Sequence, residues 1–117
     1  MGWCKLYRKY NSRKTEACGV QFDSKREASR YLELKLLESG GVIEGLELQP
    51  RFLLQSSFRY NGKTERKIEY VADFRYRVKG EKIDTVEDVK GFKTDVYKLK
   101  RKLFLFKYGD EVDFKEV

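Results

Sequence analysis

Three side chains in the second half of the chain have the types and the spacing needed to hydrolyse a phosphodiester bond. Asp73 lies in a stretch of alternating apolar residues, and Asp88-Val89-Lys90 ends the next such stretch. Because side chains alternate along a strand with a period of two, Asp88 and Lys90 share a face. Two carboxylates can hold a hard divalent cation, and a lysine can act on water or on a phosphate oxygen. The chain contains no histidine, so this set must work without one.

The register of a hairpin decides whether the two aspartates meet. Residues 68–78 and 83–90 are the two alternating runs, and Gly80-Glu81 suits a two-residue turn between them. Such a turn places Asp73 directly opposite Asp88, where paired side chains lie about 4.5–5.5 Å apart on one face. We therefore expect the site to form there, on the face opposite the aromatic stripe of the first run.

The alternative is a cluster of surface salt bridges on a polar sheet face. Charged residues make up 38% of the sequence, so composition alone can produce such a cluster. An acid followed by an acid-x-lysine is also a weak motif by itself. Glu87 adds an ambiguity, since it stands next to Asp88. Only Asp88 is in phase with Lys90, so Asp88 is the expected ligand and Glu87 is expected to pair with a basic neighbour.

Length and charge indicate one domain with a polyanionic partner. The 117 residues include 26 Lys and Arg against 19 Asp and Glu, for a net charge of +7. This surplus favours nucleic acid over a merely solubilising surface. No apolar segment reaches the length of a membrane span or a signal peptide, so we expect a cytoplasmic protein without a membrane partner or an organic cofactor. Cys4 and Cys18 are expected to be thiols.

Two helices frame the candidate strands. Ser24 with Glu27 three residues later is a capping box, and Gly40-Gly41 ends the first helix. Thr94 caps a second helix over 95–108. The stripe expected to be buried on this second helix consists of Val96, Leu99, Leu103 and Phe106. Further strands are expected at about 19–22, 46–55 and 111–117. This order of elements predicts an α/β fold with a mixed sheet.

The first residues differ from the rest in composition. Residues 1–18 form a basic arm with Trp3, Tyr7 and Tyr10, and residues 19–117 form the folded domain. Such an arm can neutralise phosphates and stack on bases. The alternative is a frayed terminus whose aromatic rings dock on the core.

The order of these motifs resembles the PD-(D/E)XK nuclease superfamily. Several stretches are similar to a family of small phage-encoded proteins of that superfamily: FDSKREASRYLELKLLESGGVI (22–43), LELQPRFLL (46–54), IEYVADFRY (68–76) and VEDVKGFKTDVYKLKRKLFLFKYG (86–109). The resemblance implies a restriction-endonuclease-like core, with a mixed β-sheet flanked by two main helices. It also implies a divalent-metal-dependent deoxyribonuclease of the bacterial host cytoplasm, with branched or recombination-intermediate DNA among its substrates. Ala72 replaces the proline of the superfamily name, at a position that varies.

The resemblance assigns roles to the candidate residues. Asp73 and Asp88 would be metal ligands, with the Val89 carbonyl as a third oxygen and Mg2+ as the ion, for which Mn2+ can substitute. Lys90 would orient or help deprotonate the attacking water, or bind the developing oxyanion. Sequence alone favours Glu27 as a capping residue, whereas the resemblance favours it as a further catalytic acid and metal ligand.

Other residues are assigned to substrate binding. The expected DNA contacts are Lys93, Lys98, Arg101 and Lys102, with Arg13 and Lys14 of the arm. A solvated helix face is the alternative for the first four. Gln49 is either an accessory residue that faces the site or a plain strand residue. We expect DNA as the partner and a homodimer as the assembly. The competing functions are a non-catalytic nucleic-acid-binding protein with the same fold and a basic protein–protein adaptor.

Overall fold

The computed structural model describes residues 6–8 and 15–117, which form a mixed α/β fold. The elements, in chain order, are β1 (Leu6–Arg8), β2 (Thr15–Ala17), β3 (Val20–Phe22), α1 (Lys25–Ser39), β4 (Ile43–Leu48), β5 (Arg51–Gln55), β6 (Phe58–Tyr60), β7 (Lys63–Glu65), β8 (Ile68–Val71), β9 (Phe74–Val78), β10 (Asp84–Asp88), α2 (Asp95–Tyr108) and β11 (Val112–Glu116).

A four-stranded mixed sheet lies at the centre, in the order β11-β10-β9-β4. β9 pairs antiparallel with both β4 and β10, and β10 pairs parallel with β11. The hairpin of β9 and β10 is therefore the middle of the sheet, as the sequence predicts. The mixed α/β class is confirmed, while the finer prediction of a restriction-endonuclease-like core stays a prediction.

The two helices pack on opposite faces of this sheet. α1 contributes Ala28, Tyr31 and Leu34 to a core cluster that includes Phe74 and Tyr76 of β9. The second cluster joins α2 to the strands through Phe52, Tyr70, Val86, Tyr97, Phe104 and Val112. β10 lies between the clusters, so its successive side chains enter different environments. This position explains why the strand is buried from Thr85 to Asp88.

The predicted register of the central hairpin is confirmed, although its turn differs. The paired residues are Thr85 with Tyr76, Val86 with Arg75, and Glu87 with Phe74. The Glu81 N–H donates to the Val78 carbonyl at 2.9 Å, and Gly80 has a φ of +90°. The reverse turn therefore begins one residue earlier than Gly80-Glu81, within a wider loop of residues 79–83. The register of the paired residues is nevertheless the one that a Gly80-Glu81 turn predicts.

The predicted strands at 68–78 and 46–55 are each broken in two, which corrects the sequence interpretation. The first changes sheets at Ala72-Asp73 and the second at Gln49-Pro50. Gln49 has a φ of +50°, and Pro50 has no N–H to donate to a ladder. The breaks face each other, since the Gln49 N–H donates to the Asp73 carbonyl at 2.9 Å and the Ala72 N–H to the Pro50 carbonyl at 3.1 Å.

The interruption at Ala72-Asp73 divides the aromatic stripe that the sequence predicts for 68–78. Tyr70 and Ala72 pack in the cluster of α2, whereas Phe74 and Tyr76 pack in the cluster of α1. The site therefore does not lie opposite one continuous aromatic face. It lies where the chain passes from one cluster to the other.

Both helices begin and end where the capping residues predict. The Ser24 hydroxyl accepts from the Glu27 N–H at 3.2 Å, and the Thr94 hydroxyl accepts from the Tyr97 N–H at 3.0 Å. Gly40 follows α1 and Gly109 follows α2. Each capping hydroxyl satisfies an N–H that has no partner within the helix.

The predicted buried stripe of α2 is wrong. Its four members are exposed, with Val96 at 62%, Leu99 at 59%, Leu103 at 42% and Phe106 at 92% of the accessible area. The buried side chains of α2 are Tyr97 and Phe104. Phe104 lies 4.7 Å from Phe52 and 4.8 Å from Tyr70 between ring centroids. The helix thus turns the face that carries Tyr97 and Phe104, rather than the face that carries Leu99 and Phe106, towards the sheet.

Near the N-terminus, β1, β2 and β3 form one antiparallel sheet. This sheet joins residues on both sides of the predicted boundary at 18/19. Trp3, Tyr10, Arg13 and Lys14 lie outside the described residues, as does Cys4. Cys18 is disulfide-bonded, so the prediction of a thiol is wrong at that position. No helix of the described residues is long and apolar enough to cross a membrane.

The corrected orientation of α2 is tested by two substitutions on the same helix. Phe104→Ala removes a fully buried ring and should lower the free energy of unfolding by about 3–5 kcal/mol. Phe106→Ala removes an exposed ring and should change it by less than about 0.5 kcal/mol. Urea unfolding followed by circular dichroism measures both. Equal losses, or a larger loss for Phe106→Ala, would restore the sequence interpretation.

Candidate active site

Asp73 occupies the bend between β8 and β9, at the end of the central hairpin. Its Oδ2 accepts a hydrogen bond from the Val89 N–H at 2.7 Å, which ties it to the residue that follows β10. Burial raises the pKa of Asp73 to about 7, although the Val89 N–H lowers it. The carboxylates of Asp88 and Glu27 raise this pKa further, so the three acids lie within electrostatic range of one another.

Asp88 ends β10 and is fully buried. The Tyr70 hydroxyl donates to its Oδ2. The Lys90 ammonium lies 3.2 Å from Oδ1, close enough for an ion pair, but its direction does not satisfy hydrogen-bond geometry. Oδ1 is therefore a buried oxygen without a hydrogen-bond donor. Such atoms are rare because an unsatisfied buried acceptor costs about 1–3 kcal/mol.

Lys90 follows Asp88 at the strand end and has a second neighbour on α2. Its ammonium lies 4.9 Å from the centre of the Tyr97 ring, and its side chain is partly exposed. A cation over an aromatic face is attracted by the electron density of the ring. Tyr97 thus holds the lysine beside Asp88 while leaving one side of the ammonium open to solvent.

Glu27 contributes to the same environment from the first turn of α1. Burial raises the pKa of Glu27, and the Asp23 carboxylate raises it further. The Asp23 N–H and the Lys90 ammonium lower this pKa, and the Asp88 carboxylate raises it. Glu27 therefore interacts with both residues of the Asp-x-Lys sequence. Its backbone N–H donates to the Ser24 hydroxyl, which is the Ser24 half of the capping box, and the choice between capping and catalysis for its side chain stays a prediction.

Glu87 points to the other face of β10, where it forms a complete ion pair. The Arg30 guanidinium donates to both carboxylate oxygens, at 2.7 and 2.6 Å, and the Tyr76 hydroxyl also donates to Oε2. Burial raises the pKa of Glu87, but the hydrogen bonds from Arg30 and Tyr76 outweigh it, so the pKa lies below its usual value. The prediction that Glu87 pairs with a basic neighbour is confirmed.

The donor set suits a hard divalent cation. Asp73 and Asp88 supply carboxylate oxygens, and Oδ1 of Asp88 accepts no hydrogen bond, although the Lys90 ammonium lies 3.2 Å away. Among residues 6–8 and 15–117, no three His, Cys, Asp or Glu side chains are grouped to hold a metal ion by themselves. An ion would therefore need the Val89 carbonyl and water as further ligands. Magnesium accepts such a site, since it typically keeps several waters and binds one or two carboxylates.

The structure places the other candidate residues at different distances from this site. Gln49 joins it through the backbone, since its N–H donates to the Asp73 carbonyl, while its side chain is exposed. Lys93 and Arg101 both contact Glu116, at 3.4 and 3.3 Å. Lys98 and Lys102 are exposed on α2. Arg101 thus points towards Glu116 of β11, and the contact of these side chains with DNA stays a prediction.

Two features of the site escape sequence reasoning. Tyr70 binds Asp88, yet its position in the aromatic alternation of 68–78 indicates only a core residue. A cleft of about 520 Å³ also lies between α1 and the end of β10, and three of its seven lining residues are basic. The lining residues are Lys25, Arg26, Ser29, Arg30, Glu33, Val89 and Val117. The surplus of positive charge in the first turns of α1 was the available signal for this cleft.

The raised pKa of Asp73 makes stability depend on pH. The folded protein keeps a proton on Asp73 up to about pH 7, whereas the unfolded chain releases it near pH 4. Its contribution to stability is therefore complete below about pH 4 and is lost as the pH rises through about 7. The free energy of unfolding of metal-free protein should fall between pH 5 and 8. The fall should be smaller in Asp73→Asn, and equal falls in both proteins would contradict the assignment.

Comparison with known proteins gives a family for the chain. A family profile described as "Protein of unknown function (DUF1064)" matches residues 7–115. No curated protein and no solved structure matches the chain. The profile match covers both helices, nearly all of the central sheet, and Glu27, Asp73, Asp88 and Lys90. The chain therefore belongs to the DUF1064 family.

Proposed function

We propose that this protein is a divalent-metal-dependent deoxyribonuclease that hydrolyses phosphodiester bonds, with Mg2+ as the ion. The observation that carries the proposal is the meeting of Asp73, Asp88 and Lys90 at one end of the central hairpin. The two carboxylates are close enough to raise the pKa of Asp73, and the lysine lies beside the unsatisfied oxygen of Asp88. A set selected only for stability would not retain these costs without compensation.

The chain's own residues have separable tasks in this proposal. Asp73 and Asp88 would hold the ion, and the Val89 peptide fixes Asp73 through its N–H. The chemistry that a bound ion supplies is polarisation of the phosphate and neutralisation of the charge that develops in the transition state. Lys90 reaches the same position and keeps an open side, so it can orient a water or bind a phosphate oxygen. Glu27 would be a further acid at the edge of the site.

Charge near the site supports a polyanionic substrate. The cleft beside Val89 is lined by three basic side chains and one acidic side chain, namely Lys25, Arg26, Arg30 and Glu33. Arg30 is occupied by Glu87, so Lys25 and Arg26 are the cations best placed to meet phosphates there. Exposed Lys98 and Lys102 extend the positive surface along α2. Endonucleolytic action, branched DNA as substrate, a homodimer and a cytoplasmic location belong to the same proposal.

The alternative function is nucleic-acid binding without catalysis. It is supported by the absence of a three-acid metal cluster within the described part of the chain. It does not account for the unsatisfied buried oxygen of Asp88, because a binding protein has no need of that acid. Calorimetric titration with Mg2+ and Mn2+ separates the two functions, since only the nuclease requires the ion.

The adjacent acids Glu87 and Asp88 provide a matched test of the nuclease. Supercoiled plasmid should be cut in Mg2+ and left intact in EDTA. Asp88→Asn should lower the cleavage rate roughly 1000-fold, because several kcal/mol of charge stabilisation depend on the ion, while its melting temperature changes little. Glu87→Gln should keep its rate at low temperature but lose up to about 3 kcal/mol of stability, because Arg30 loses its charged partner.

This pair of variants gives opposite results if the assignment is reversed. An inactive Glu87→Gln protein that remains folded, beside an active Asp88→Asn protein, would place the ligand on the wrong face of β10. Cutting that continues undiminished in EDTA would reject the metal-dependent chemistry altogether. Asp73→Asn offers an independent check, since it should match Asp88→Asn in rate.

Glu27 separates a capping role from a catalytic one. Glutamine is also suited to the third position of a capped helix, so Glu27→Gln should leave the melting temperature nearly unchanged. A role at the metal predicts a cleavage rate at least about 10-fold lower, with a higher Mg2+ concentration needed for half-maximal rate. Ser24→Ala is the control, since it should cost about 1 kcal/mol of stability without this change in Mg2+ dependence. A normal rate for Glu27→Gln would return this residue to the cap.

A further inference from the structure

A two-stranded ribbon begins beside Asp73, at the point where the two predicted β-strands are interrupted. β5 pairs with β8, and β6 pairs with β7. Gln55 is opposite Ile68 and, three residues further along, Phe58 is opposite Glu65, so both pairs belong to one register. Residues 51–71 therefore follow one antiparallel path, with a register shift between Leu53 and Gln55 and an interruption between the β5–β8 and β6–β7 pairs.

The base of this ribbon is anchored and its tip is not. At the base, Phe52 and Tyr70 are buried against α2, and the Lys107 ammonium and the Tyr108 hydroxyl both donate to the Leu53 carbonyl, at 3.0 and 2.9 Å. At the tip, every residue from 56 to 67 is exposed. An isolated hairpin is at best marginally stable in water. The tip buries no face of its own, so burial of apolar surface does not explain its regular hairpin structure.

Local geometry makes the tip rigid. Asn61 and Gly62 have φ values of +51° and +74°, the conformation that a tight two-residue hairpin turn requires. The Arg59 guanidinium donates to the Gly62 carbonyl at 2.7 Å and to the Thr64 hydroxyl at 3.1 Å, which braces the turn. The ribbon is thus preorganised, so little conformational entropy would be lost when it meets a partner.

The chemistry of the tip fits a nucleic acid. Residues 56–67 carry four basic side chains, Arg59, Lys63, Arg66 and Lys67, against one acidic side chain, Glu65, for a net charge of +3. Phe58 and Tyr60 lie on one face and are exposed at 48% and 65%. Cations can pair with phosphates, and aromatic rings can make apolar contacts with base edges such as the thymine methyl group. The major groove of duplex DNA is wide enough to admit a two-stranded ribbon.

We infer that the tip of this ribbon, residues 56–67, is a DNA-binding arm that enters the major groove about one helical turn from the bond that is cut. The inference rests on the proposed nuclease function, because it takes Asp73 as the position of the scissile phosphate. Asn61 is twelve residues before Asp73. At about 3.3 Å per residue an extended strand covers at most about 40 Å, and one turn of duplex DNA is about 34–36 Å long.

The test compares two variants that remove the same charge from two different hairpins. Lys63→Ala with Arg66→Ala neutralises the ribbon tip, and Lys79→Ala with Lys82→Ala neutralises the exposed loop between β9 and β10. Both pairs are introduced into Asp88→Asn protein, so that a 40-base-pair duplex is bound but not cut. Asp73→Asn serves as a second inactive background. Fluorescence anisotropy over a range of salt concentrations measures the affinity for the duplex.

The ribbon variant should bind the duplex at least about 10-fold more weakly and should show a shallower dependence on salt. Two lost phosphate contacts lower the slope of log affinity against log salt by about 1.8. The loop variant should retain the affinity and slope of its parent. Hydroxyl-radical footprinting should show protection about one turn from the cleavage site that disappears only in the ribbon variant.

The outcomes distinguish this inference from the nuclease proposal. If the unsubstituted protein cuts DNA in Mg2+ while both charge variants bind and protect the duplex alike, the ribbon is not a DNA-binding arm and the nuclease proposal stands. If the ribbon variant loses affinity but the protein never cuts DNA, the arm stands and its partner site is a binding surface. If no protein of the set binds duplex DNA, both are overturned.

Discussion

Two neighbouring carboxylates, Glu87 and Asp88, are buried side by side in the central strand, and much of the fold is arranged around the need to compensate them. Burial of an unpaired charge is strongly unfavourable. Glu87 is compensated fully, by both arms of the Arg30 guanidinium and by Tyr76. This pair fixes α1 against one face of the sheet. Asp88 faces the other way and is compensated only in part.

The two acids differ in how completely their charges are paired. An arginine that forms two hydrogen bonds to a carboxylate gives a rigid ion pair with nothing left to bind. The tyrosine and the misdirected lysine at Asp88 leave one oxygen without a donor, beside a second acid whose pKa is raised to about 7. Two adjacent residues of one strand thus differ, since Glu87 is fully paired and Asp88 is paired only in part. The stability that the Glu87–Arg30 pair contributes can offset the cost of the incompletely paired Asp88.

Local sequence signals predict much of this fold. The caps at Ser24 and Thr94 define the helix starts, and the register that brings Asp73 to Asp88 follows from the two alternating runs. These features depend on residues that are close in the sequence, so the sequence alone is enough to predict them. The phase of Asp88 with Lys90 likewise assigns Glu87 to the opposite face. The location of the candidate site was therefore predictable.

Features that depend on residues far apart in the sequence could not be predicted in this way. α2 has two apolar stripes, and periodicity alone cannot say which of them meets Phe52 and Tyr70. The Arg30 partner of Glu87 is 57 positions away in sequence. Cys18 forms a bond that composition argues against. Each outcome is decided by tertiary contacts, which override local propensity.

One backbone irregularity links the candidate site to the ribbon. Gln49 in a left-handed conformation and the missing N–H of Pro50 end β4, and the facing strand ends at Ala72-Asp73. With continuous strands, Asp73 would be an ordinary ladder residue and residues 51–71 would extend the central sheet. The break instead places Asp73 at a bend, where its carboxylate can accept from the Val89 N–H. It also directs the ribbon onto α2. The geometry that positions Asp73 therefore also sets the direction of the ribbon, so a change at Gln49-Pro50 would disturb both together.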